Sequence, residues 1–291
     1  MIKILAPAKI NLFLDVGARR PDGYHEIRTV FQTVALYDEV RVVPLPGAGG
    51  IRLKASGGAP RGSSNIVWKA AESFLGKYRP DRSCALVLKK NIPIQAGLGG
   101  GSSDAAAVLK GLSRLWRAPK PGVREIAREL GADVPFFLEG GCALAAGTGE
   151  KIVPIRPAPD FWAVIVKPRM GLSTREAYGW LDRSRGKRAP GGLTRRPGIN
   201  RILSSIKRED PPEKWAPHLY NGFEEVVFPK APELARLKRA LLENGSLGAL
   251  LSGSGSALFG VAPDRARAEK IRRGMLGRGA RVWLARSVGK L

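Results

Sequence analysis

The chain contains few of the residues from which disulfide scaffolds and metal centres are built. Only two cysteines and two histidines occur among its 291 residues. Cys84 and Cys142 both lie in apolar, strand-like segments, so we expect two buried free thiols rather than a disulfide or a metal pair. His25 and His218 are too few and too scattered for a zinc site.

Long apolar runs are also missing from the sequence. No run approaches the roughly 18 residues that a membrane-spanning helix needs. The first residues, MIKILAPAKINLFLDVG, place a lysine inside an otherwise apolar stretch and read as a strand. We therefore expect no signal peptide, no membrane partner and a cytoplasmic location.

Acidic residues are scarce relative to basic ones, 25 against 49, which gives a formal net charge of +24. Such a charge suits a nucleic-acid binder or a protein that handles polyanionic small molecules. The segment 183–208 holds nine Lys or Arg and no acid, together with Pro190, Gly191 and Gly192. We interpret this segment as a solvated loop or insertion. We interpret the overall charge as a generally basic surface in preference to a nucleic-acid interface.

The order of apolar patterns predicts the fold class. Strand-like and helix-like segments interleave without a regular βαβ repeat, which favours an α+β protein of one or two domains. The proline-rich stretch PIRPAP at 154–159 is the best candidate for a boundary. We therefore predict an N-terminal domain at 1–157 and a C-terminal domain at 158–291.

The most informative stretch is IPIQAGLGGGSSDAAAVLKGLSRLW, residues 92–116. Its glycines allow close approach of the backbone to a ligand, and the helical spacing that begins at Ala105 places a helix N-terminus directly behind them. A helix N-terminus is a natural site for a phosphate. Ser102, Ser103 and Asp104 are good N-caps, so a tight turn with a capped helix is the alternative interpretation. Neither the Walker A nor the G-x-G-x-x-G fingerprint is present.

Three motifs and an acidic segment resemble those of the GHMP small-molecule kinases and occur in the same order as in that family. PIQAGLGGGSSDAA resembles the second motif of that family, in the longer form of the branch that acts on a diphosphocytidyl methylerythritol. PAKINLFLDVGARRPDGYHEI resembles the first segment, GADVPFFL the acidic segment, and LSGSGSA the third motif. The resemblance implies a two-domain α+β fold, with an N-terminal domain like domain 2 of ribosomal protein S5 and a ferredoxin-like C-terminal domain.

The resemblance implies a catalytic pair, Lys9 and Asp133, that faces the accepting hydroxyl. Taken alone, Lys9 would be read as an exposed residue of an edge strand and Asp133 as a turn or cap residue. Phosphoryl transfer needs a carboxylate that orients the hydroxyl or takes its proton, and cations near the γ-phosphate. Whether Asp133 is a general base or a positioning group is left open.

The resemblance also implies ATP and Mg²⁺ as cofactors. It assigns the ATP and its phosphates to Pro93, Gly97, Leu98, Gly99, Gly100, Gly101, Ser102, Ser103 and Asn65. Ser102 or Ser103 would help to hold Mg²⁺, whereas Asn65 could equally be a helix N-cap. Gly253, Ser254 and Gly255 of the third motif would form a second turn beside the site, with a plain hairpin turn as the alternative.

For the substrate, the resemblance implies that His25 hydrogen-bonds a cytosine while Tyr24 and Tyr178 stack on it. Asn11 would contact the substrate's polyol or phosphates. One departure is Gly222, because the family often has an aspartate at that place in an Asn-Asp-Phe-Glu segment. This chain therefore has no aspartate at that place to perform the role that the residue has in the family.

The function implied is transfer of the γ-phosphoryl group of ATP to the 2-hydroxyl of 4-diphosphocytidyl-2-C-methyl-D-erythritol, in the non-mevalonate route to isoprenoids. The expected partners are this substrate and ATP, and the protein is expected to be a monomer or a weak homodimer. One alternative is another GHMP kinase, similar to homoserine or mevalonate kinase. An alternative from a different class is a basic RNA-binding module.

Overall fold

The computed structural model describes residues 1–48, 50–185 and 198–289, which form two compact units. The first unit holds Met1–Ala8, Leu36–Ile94 and Gly99–Glu139. The second holds Lys9–Ala35, Gln95–Leu98, and Gly140 with the described residues after it. Two long strands, β1 (Ile2–Arg19) and β2 (His25–Leu45), run through both units. The domain boundary at 157/158 stays a prediction.

The first unit contains a sheet with helices packed on it. Its further elements are β3 (Ile51–Ala55), α1 (Ile66–Tyr78), β4 (Ser83–Lys89), α2 (Gly100–Trp116), α3 (Lys120–Leu130) and α4 (Val134–Glu139). β4 pairs antiparallel with β2, with Val42 opposite Leu86, and parallel with β3. α2 lies very close to this sheet, because a Cβ on Gly111 would come within 2.7 Å of Val42 Cγ2.

Short α4 was not predicted. The sequence indicated a turn or cap residue at Asp133, and the residues from Val134 onward form a helical turn and a half. Proline is tolerated in the first turn of a helix, because an N–H at that place would have no partner within the helix. Pro135 is therefore compatible with the first turn of α4. Phe136 and Phe137 are buried by this helix.

The described part of the second unit contains the rest of this seven-stranded sheet, a separate four-stranded sheet and six α-helices. Its elements are β5 (Cys142–Gly147), β6 (Lys151–Ile155), β7 (Trp162–Pro168), α5 (Thr174–Arg185), α6 (Gly198–Lys207), α7 (Pro212–Trp215), β8 (Tyr220–Asn221), α8 (Glu224–Lys230), α9 (Pro232–Glu243), β9 (Gly248–Leu251), β10 (Leu258–Ala262), α10 (Arg265–Met275) and β11 (Ala280–Arg286). β5 pairs antiparallel with β2 and with β6, while β8 pairs parallel with β1 at Phe13 and Leu14.

The second sheet of this unit has the order β11-β7-β10-β9 with all neighbours antiparallel. α9 packs on β9 and β10, and α10 packs on β7 and β11. Two β-α-β units interleaved in this way give the ferredoxin-like arrangement. The predicted α+β class is confirmed by this mixture of sheets and helices, and none of the described helices is long and apolar enough to cross a membrane.

The interpretation of 183–208 as a solvated loop was wrong where the structure describes the segment. α5 continues to Arg185, and 198–207 form α6. Ile199, Ile202 and Ile206 are buried along one face of α6, at the three- and four-residue spacing of an amphipathic helix. The many basic residues concealed this short apolar pattern. Residues 186–197 lie outside the described part.

Candidate active site

The second and third glycine motifs pack backbone to backbone within the second unit. Gly97 has φ +72°, and a Cβ at this position would lie 1.9 Å from the carbonyl oxygen of Ser252. Ser252 Oγ donates to Gly97 O at 3.0 Å, and Ala257 N donates to Ala96 O at 3.1 Å. Because the clash would be with main-chain atoms, only glycine permits this contact.

The third motif is a hairpin turn between β9 and β10, as its alternative interpretation had it. It is also more than a hairpin, because it lies against the glycine-rich loop of the second motif, residues 97–101. Gly253 has φ +55° and Gly255 φ +92°, conformations that favour glycine. Ser254 Oγ lies 3.0 Å from Thr174 Oγ1 at the start of α5. Lys9 Nζ lies 3.5 Å from the position that a Cβ on Gly253 would take.

Lys9 is buried, so its interpretation as an exposed residue of an edge strand is wrong. Only 5% of the residue is exposed. Its Nζ donates to Asn11 Oδ1 at 2.8 Å and lies 5.0 Å from the centroid of the Phe31 ring. Its main-chain N–H donates to Leu98 O at 2.9 Å, which ties β1 to the glycine-rich loop. A buried ammonium is tolerated because it is hydrogen-bonded.

Asn11 is in turn held by Thr29, which sequence reasoning missed. Asn11 Nδ2 donates to Thr29 Oγ1 at 2.8 Å, and Thr29 Oγ1 donates to Phe13 O at 2.6 Å. All three polar side chains of this chain of hydrogen bonds are buried. The orientation of Lys9 is therefore set by a short network anchored on the main chain of β1.

The N-terminus of α2 lies in the first unit and differs from the prediction. The helix begins at Gly100 instead of Ala105, and its N-cap is Gly99 in the left-handed region at φ 68°. Ser102, Ser103 and Asp104, expected as possible N-caps, lie inside the first turns and no side chain caps the helix. The free N–H groups of a helix start are then available to an anion.

Ser103 is better placed than Ser102 to act as a ligand of phosphate or its cation. Its hydroxyl oxygen is buried and has no hydrogen-bond partner within the described residues, although buried hydroxyls are normally paired. Ser102 is half-buried. An unpaired buried oxygen beside an uncapped helix start fits a site for phosphate and its cation.

A buried ionic cluster supports the glycine-rich loop from within the first unit. Lys90 Nζ donates to Asp104 Oδ2 at 2.7 Å and also contacts Asp38. Asp38 Oδ1 accepts from the main-chain N–H of Asn91 at 2.5 Å and of Ile92 at 2.8 Å. Burial, with a smaller effect of Asp38, raises the pKa of Asp104 well above its usual range, and Lys90 opposes this. The cluster joins the end of β4 to α2.

Asn65 is confirmed as a helix N-cap. Its Oδ1 accepts from Val67 N at 2.9 Å at the start of α1, and its Nδ2 donates to Pro60 O at 2.8 Å. Both polar atoms of the side chain are thus engaged, and the proposed contact with adenine stays a prediction. Pro93 is half-buried in the segment that leads into the glycine-rich loop.

Asp133 is half-buried in the turn directly before α4. The turn is closed by Val134 N, which donates to Gly131 O at 3.1 Å. Asp133 belongs to the first unit and Lys9 to the second. Their joint action on a hydroxyl stays a prediction.

The residues predicted to recognise a base meet in the second unit. His25 is buried and its ring lies 4.7 Å from that of Tyr178, with an interplanar angle of 30°. Tyr178 in turn makes an edge contact with Phe223, with centroids 4.9 Å apart. Tyr24 is 66% exposed at the turn between β1 and β2. The structure therefore brings His25 and Tyr178 together and leaves Tyr24 open to solvent.

The Asn-Gly-Phe-Glu segment supports the third motif. Asn221 Nδ2 donates to Leu251 O at 2.8 Å and to Gly253 O at 2.7 Å, and Glu224 Oε1 accepts from Leu251 N at 2.9 Å. A Cβ on Gly222 would meet its nearest atom, Tyr220 Oη, at 3.4 Å, an ordinary contact. The glycine is therefore not required by local packing.

Two packed glycine turns, an uncapped helix start and a buried lysine are features of a phosphate-transferring site. A model described as the GHMP kinases N terminal domain matches residues 65–141, and one described as GHMP kinases C terminal matches residues 203–280. The chain belongs to the GHMP kinase family.

Within that family, several enzymes that share one name are similar to this chain over almost its whole length. The 4-diphosphocytidyl-2-C-methyl-D-erythritol kinase of Desulfitobacterium hafniense is 39% identical, over 99% of this chain and 96% of its own. That of Pelotomaculum thermopropionicum is 41% identical, over 93% and 92%. A crystal structure of 4-(cytidine 5'-diphospho)-2C-methyl-D-erythritol kinase superposes with a TM-score of 0.83 at 35% identity, covering 99% of this chain and 100% of that one.

More distant structures share the fold alone. A homoserine kinase from Cytophaga hutchinsonii superposes with a TM-score of 0.78 at 19% identity, covering 99% of this chain and 95% of that one. The predicted GHMP kinase fold is confirmed.

Proposed function

We propose that the protein is an ATP-dependent kinase that phosphorylates the 2-hydroxyl of 4-diphosphocytidyl-2-C-methyl-D-erythritol, giving the 2-phosphate and ADP. The observation that carries this proposal is the near full-length similarity to kinases that are named for this substrate. The reaction belongs to the non-mevalonate route to isopentenyl diphosphate. The grouping of His25 and Tyr178 supports a substrate with an aromatic base.

ATP is the phosphate donor of GHMP kinases, and the local structure of α2 fits it. The uncapped helix start can receive phosphate oxygens, and Gly99 to Gly101 present no side chain that would keep them away. Ser103, with its unpaired hydroxyl, or Ser102 would help to hold Mg²⁺ with the phosphates. The ion would neutralise charge on the phosphoryl group during transfer.

Lys9 and Asp133 are proposed as the catalytic pair. The Lys9 ammonium is held by Asn11 on a rigid strand, where it can stabilise a developing alkoxide. Asp133 would orient the accepting hydroxyl or take its proton, and the two roles are left open. Asn11 would have two roles. It would contact the substrate, and its hydrogen bond with Lys9 would position the lysine.

The cytidyl end of the substrate would bind at the group formed by His25 and Tyr178. His25 would hydrogen-bond the base, and Tyr24 and Tyr178 would stack on it. Stacking of a base on an aromatic ring contributes about 1–3 kcal/mol per base in nucleic-acid complexes. Tyr178 already packs on the His25 ring, so stacking on a base would use its remaining surface.

We further propose that the protein acts in the cytoplasm as a monomer or weak homodimer. Its substrates carry phosphates, and the formal net charge of +24 would favour their approach. An RNA partner has no specific support from the described residues beyond this charge.

The position of the new phosphate tests the proposed reaction. The protein would be incubated with Mg²⁺-ATP and the cytidyl substrate, and the product examined by ³¹P NMR. We expect one new phosphomonoester signal without three-bond coupling to hydrogen, because the 2-carbon carries a methyl group and no hydrogen, beside an intact diphosphate. A phosphate on another hydroxyl, or cleavage of the diphosphate, would overturn the assignment.

A further inference from the structure

His25 has a partner for which neither motif nor resemblance accounts, Asp182 on α5. Its Oδ1 lies 2.7 Å from His25 Nε2. The His25 side chain is 6% exposed and that of Asp182 is 40% exposed. Asp182 lies one helical turn after Tyr178, so one face of α5 supplies both a ring against the imidazole and a carboxylate at its edge.

The carboxylate restricts the hydrogen-bonding character of the imidazole. An ionised aspartate only accepts hydrogen bonds, so Nε2 must carry the hydrogen. In the neutral ring, the other nitrogen, Nδ1, is then an acceptor. Within the residues that the structure describes, this ring has no second hydrogen-bond partner. Packing on Tyr178, itself held by Phe223, keeps the ring from turning over.

We propose that Asp182 is a positioning residue that determines base specificity through His25. By fixing the hydrogen on Nε2, it makes Nδ1 an acceptor for an exocyclic amino group. Cytosine carries such a donor at N4, whereas uracil carries an acceptor oxygen at the same place. This inference rests on the proposed function, because it needs a pyrimidine nucleotide as the substrate.

Kinetics with two substrates that differ only in the base test the inference. Asp182→Leu removes the carboxylate at similar volume, and Asp182→Asn keeps an oxygen that can accept from Nε2. For Asp182→Leu we expect kcat/KM for the cytidyl substrate to fall about tenfold, through KM, with kcat nearly unchanged. We expect kcat/KM for the uridyl analogue to change much less. Asp182→Asn should retain most of the preference for the cytidyl over the uridyl substrate.

One kinetic outcome would overturn the inference, an unchanged ratio of cytidyl to uridyl kcat/KM in Asp182→Leu. The ratio stays unchanged if neither value moves, and also if both values fall by the same factor, which is what a purely structural role would give.

A spectroscopic measurement tests the same inference without any substrate. Because the chain has only two histidines, ¹⁵N-histidine labelling of a His218→Gln protein isolates the signals of His25. At pH 8.5 we expect a protonated Nε2 and an unprotonated Nδ1, and a mixture of both forms in Asp182→Leu. A hydrogen on Nδ1 in the otherwise unaltered protein would contradict the inference, even if Asp182→Leu failed to fold. Failure of the proposed function would instead show as no turnover of either substrate with these spectra intact.

Discussion

The candidate catalytic residues differ in how their side chains are held. Lys9 is fixed by a buried chain of hydrogen bonds through Asn11 and Thr29 to the main chain of β1. Asp133 is positioned by a turn, directly before a short helix. Because Lys9 is already held in place, its side chain loses little conformational freedom when the substrate reacts. We therefore expect Lys9 to stabilise mainly the transition state.

Asp133→Asn is expected to lower kcat by about 10²–10⁴, because an amide cannot take the proton of the accepting hydroxyl. The affinity for ATP should change little, since no contact with ATP is assigned to Asp133. Steady-state kinetics with a separate ATP-binding titration measure both quantities. Asp81→Asn, an exposed substitution in the same unit, is the matched control. Near-normal turnover of Asp133→Asn would remove this residue from the mechanism.

The two cysteines are expected to be unreactive in the folded protein. Burial raises the pKa of the Cys84 thiol to about 11 and that of Cys142 to about 12. Almost no reactive thiolate is then present at pH 8. A thiol reagent should modify neither cysteine in native protein and both after denaturation. Stoichiometric labelling of native protein would show that one of these strands opens readily.

At the scale of secondary-structure elements, the close packing of two glycine turns is the strictest requirement. Gly97→Ala would place a Cβ 1.9 Å from Ser252 O, at a positive φ. We expect the third motif to be displaced, with kcat/KM lowered by at least tenfold and stability by about 1–3 kcal/mol.

Gly76→Ala is the control for Gly97→Ala, because a Cβ at Gly76 in α1 meets nothing within 4 Å. It should leave activity unchanged and raise stability slightly, since alanine favours helix. Urea unfolding and steady-state kinetics compare the two variants. Equal behaviour of the two would contradict the packing argument.

Glu224 joins α8 to β9 and gives a pH dependence. Burial raises its pKa, against the effect of Lys238. The folded state therefore holds the proton more tightly than the unfolded state, and this group lowers stability as pH rises from the unfolded pKa, about 4.3, through the folded value. In Glu224→Gln this loss is absent.

The melting temperature of Glu224→Gln, relative to the unaltered protein, should therefore increase between pH 4 and pH 8. In domains of 150–250 residues, an increase of about 2–4 °C in melting temperature corresponds to about 1 kcal/mol in the free energy of unfolding. Glu213→Gln, exposed on α7, is the control. A difference that does not vary with pH would contradict the raised pKa of Glu224.

Elements with a strong apolar period were predicted correctly, and those with mixed signals were not. The helix N-cap at Asn65 was predicted as one of two roles for that residue. α2 starts five residues earlier than predicted, because glycines disfavour helix but are accepted where the chain must leave room. α6 was missed because basic residues surround its apolar face. The local sequence shows the apolar period of a helix. It does not show the tertiary contacts that make a helix depart from the prediction.

The candidate site was predictable where residues act through motifs that are continuous in sequence. The two glycine turns are such motifs, but the residues that support them are remote. Asp182 lies 157 positions from His25, and Ser252 lies 155 from Gly97. Such pairings depend on the fold, so no local pattern could have revealed them.

At the scale of the whole molecule, the formal net charge of +24 suits the proposed function with small anions. Both proposed substrates are phosphorylated, and a positive surface raises the rate of their encounter in a salt-dependent way. Some basic side chains also lie over tryptophan rings. Arg281 Cζ lies 4.7 Å from the centroid of the Trp283 ring, which attracts the positive charge.

Release of ADP tests the central claim most directly. A coupled assay with Mg²⁺-ATP would offer 4-diphosphocytidyl-2-C-methyl-D-erythritol, homoserine and mevalonate in parallel. We expect turnover with the cytidyl substrate alone, because only it has a base for His25. Turnover with homoserine or mevalonate in its place would contradict the assignment, and so would the absence of turnover with all three.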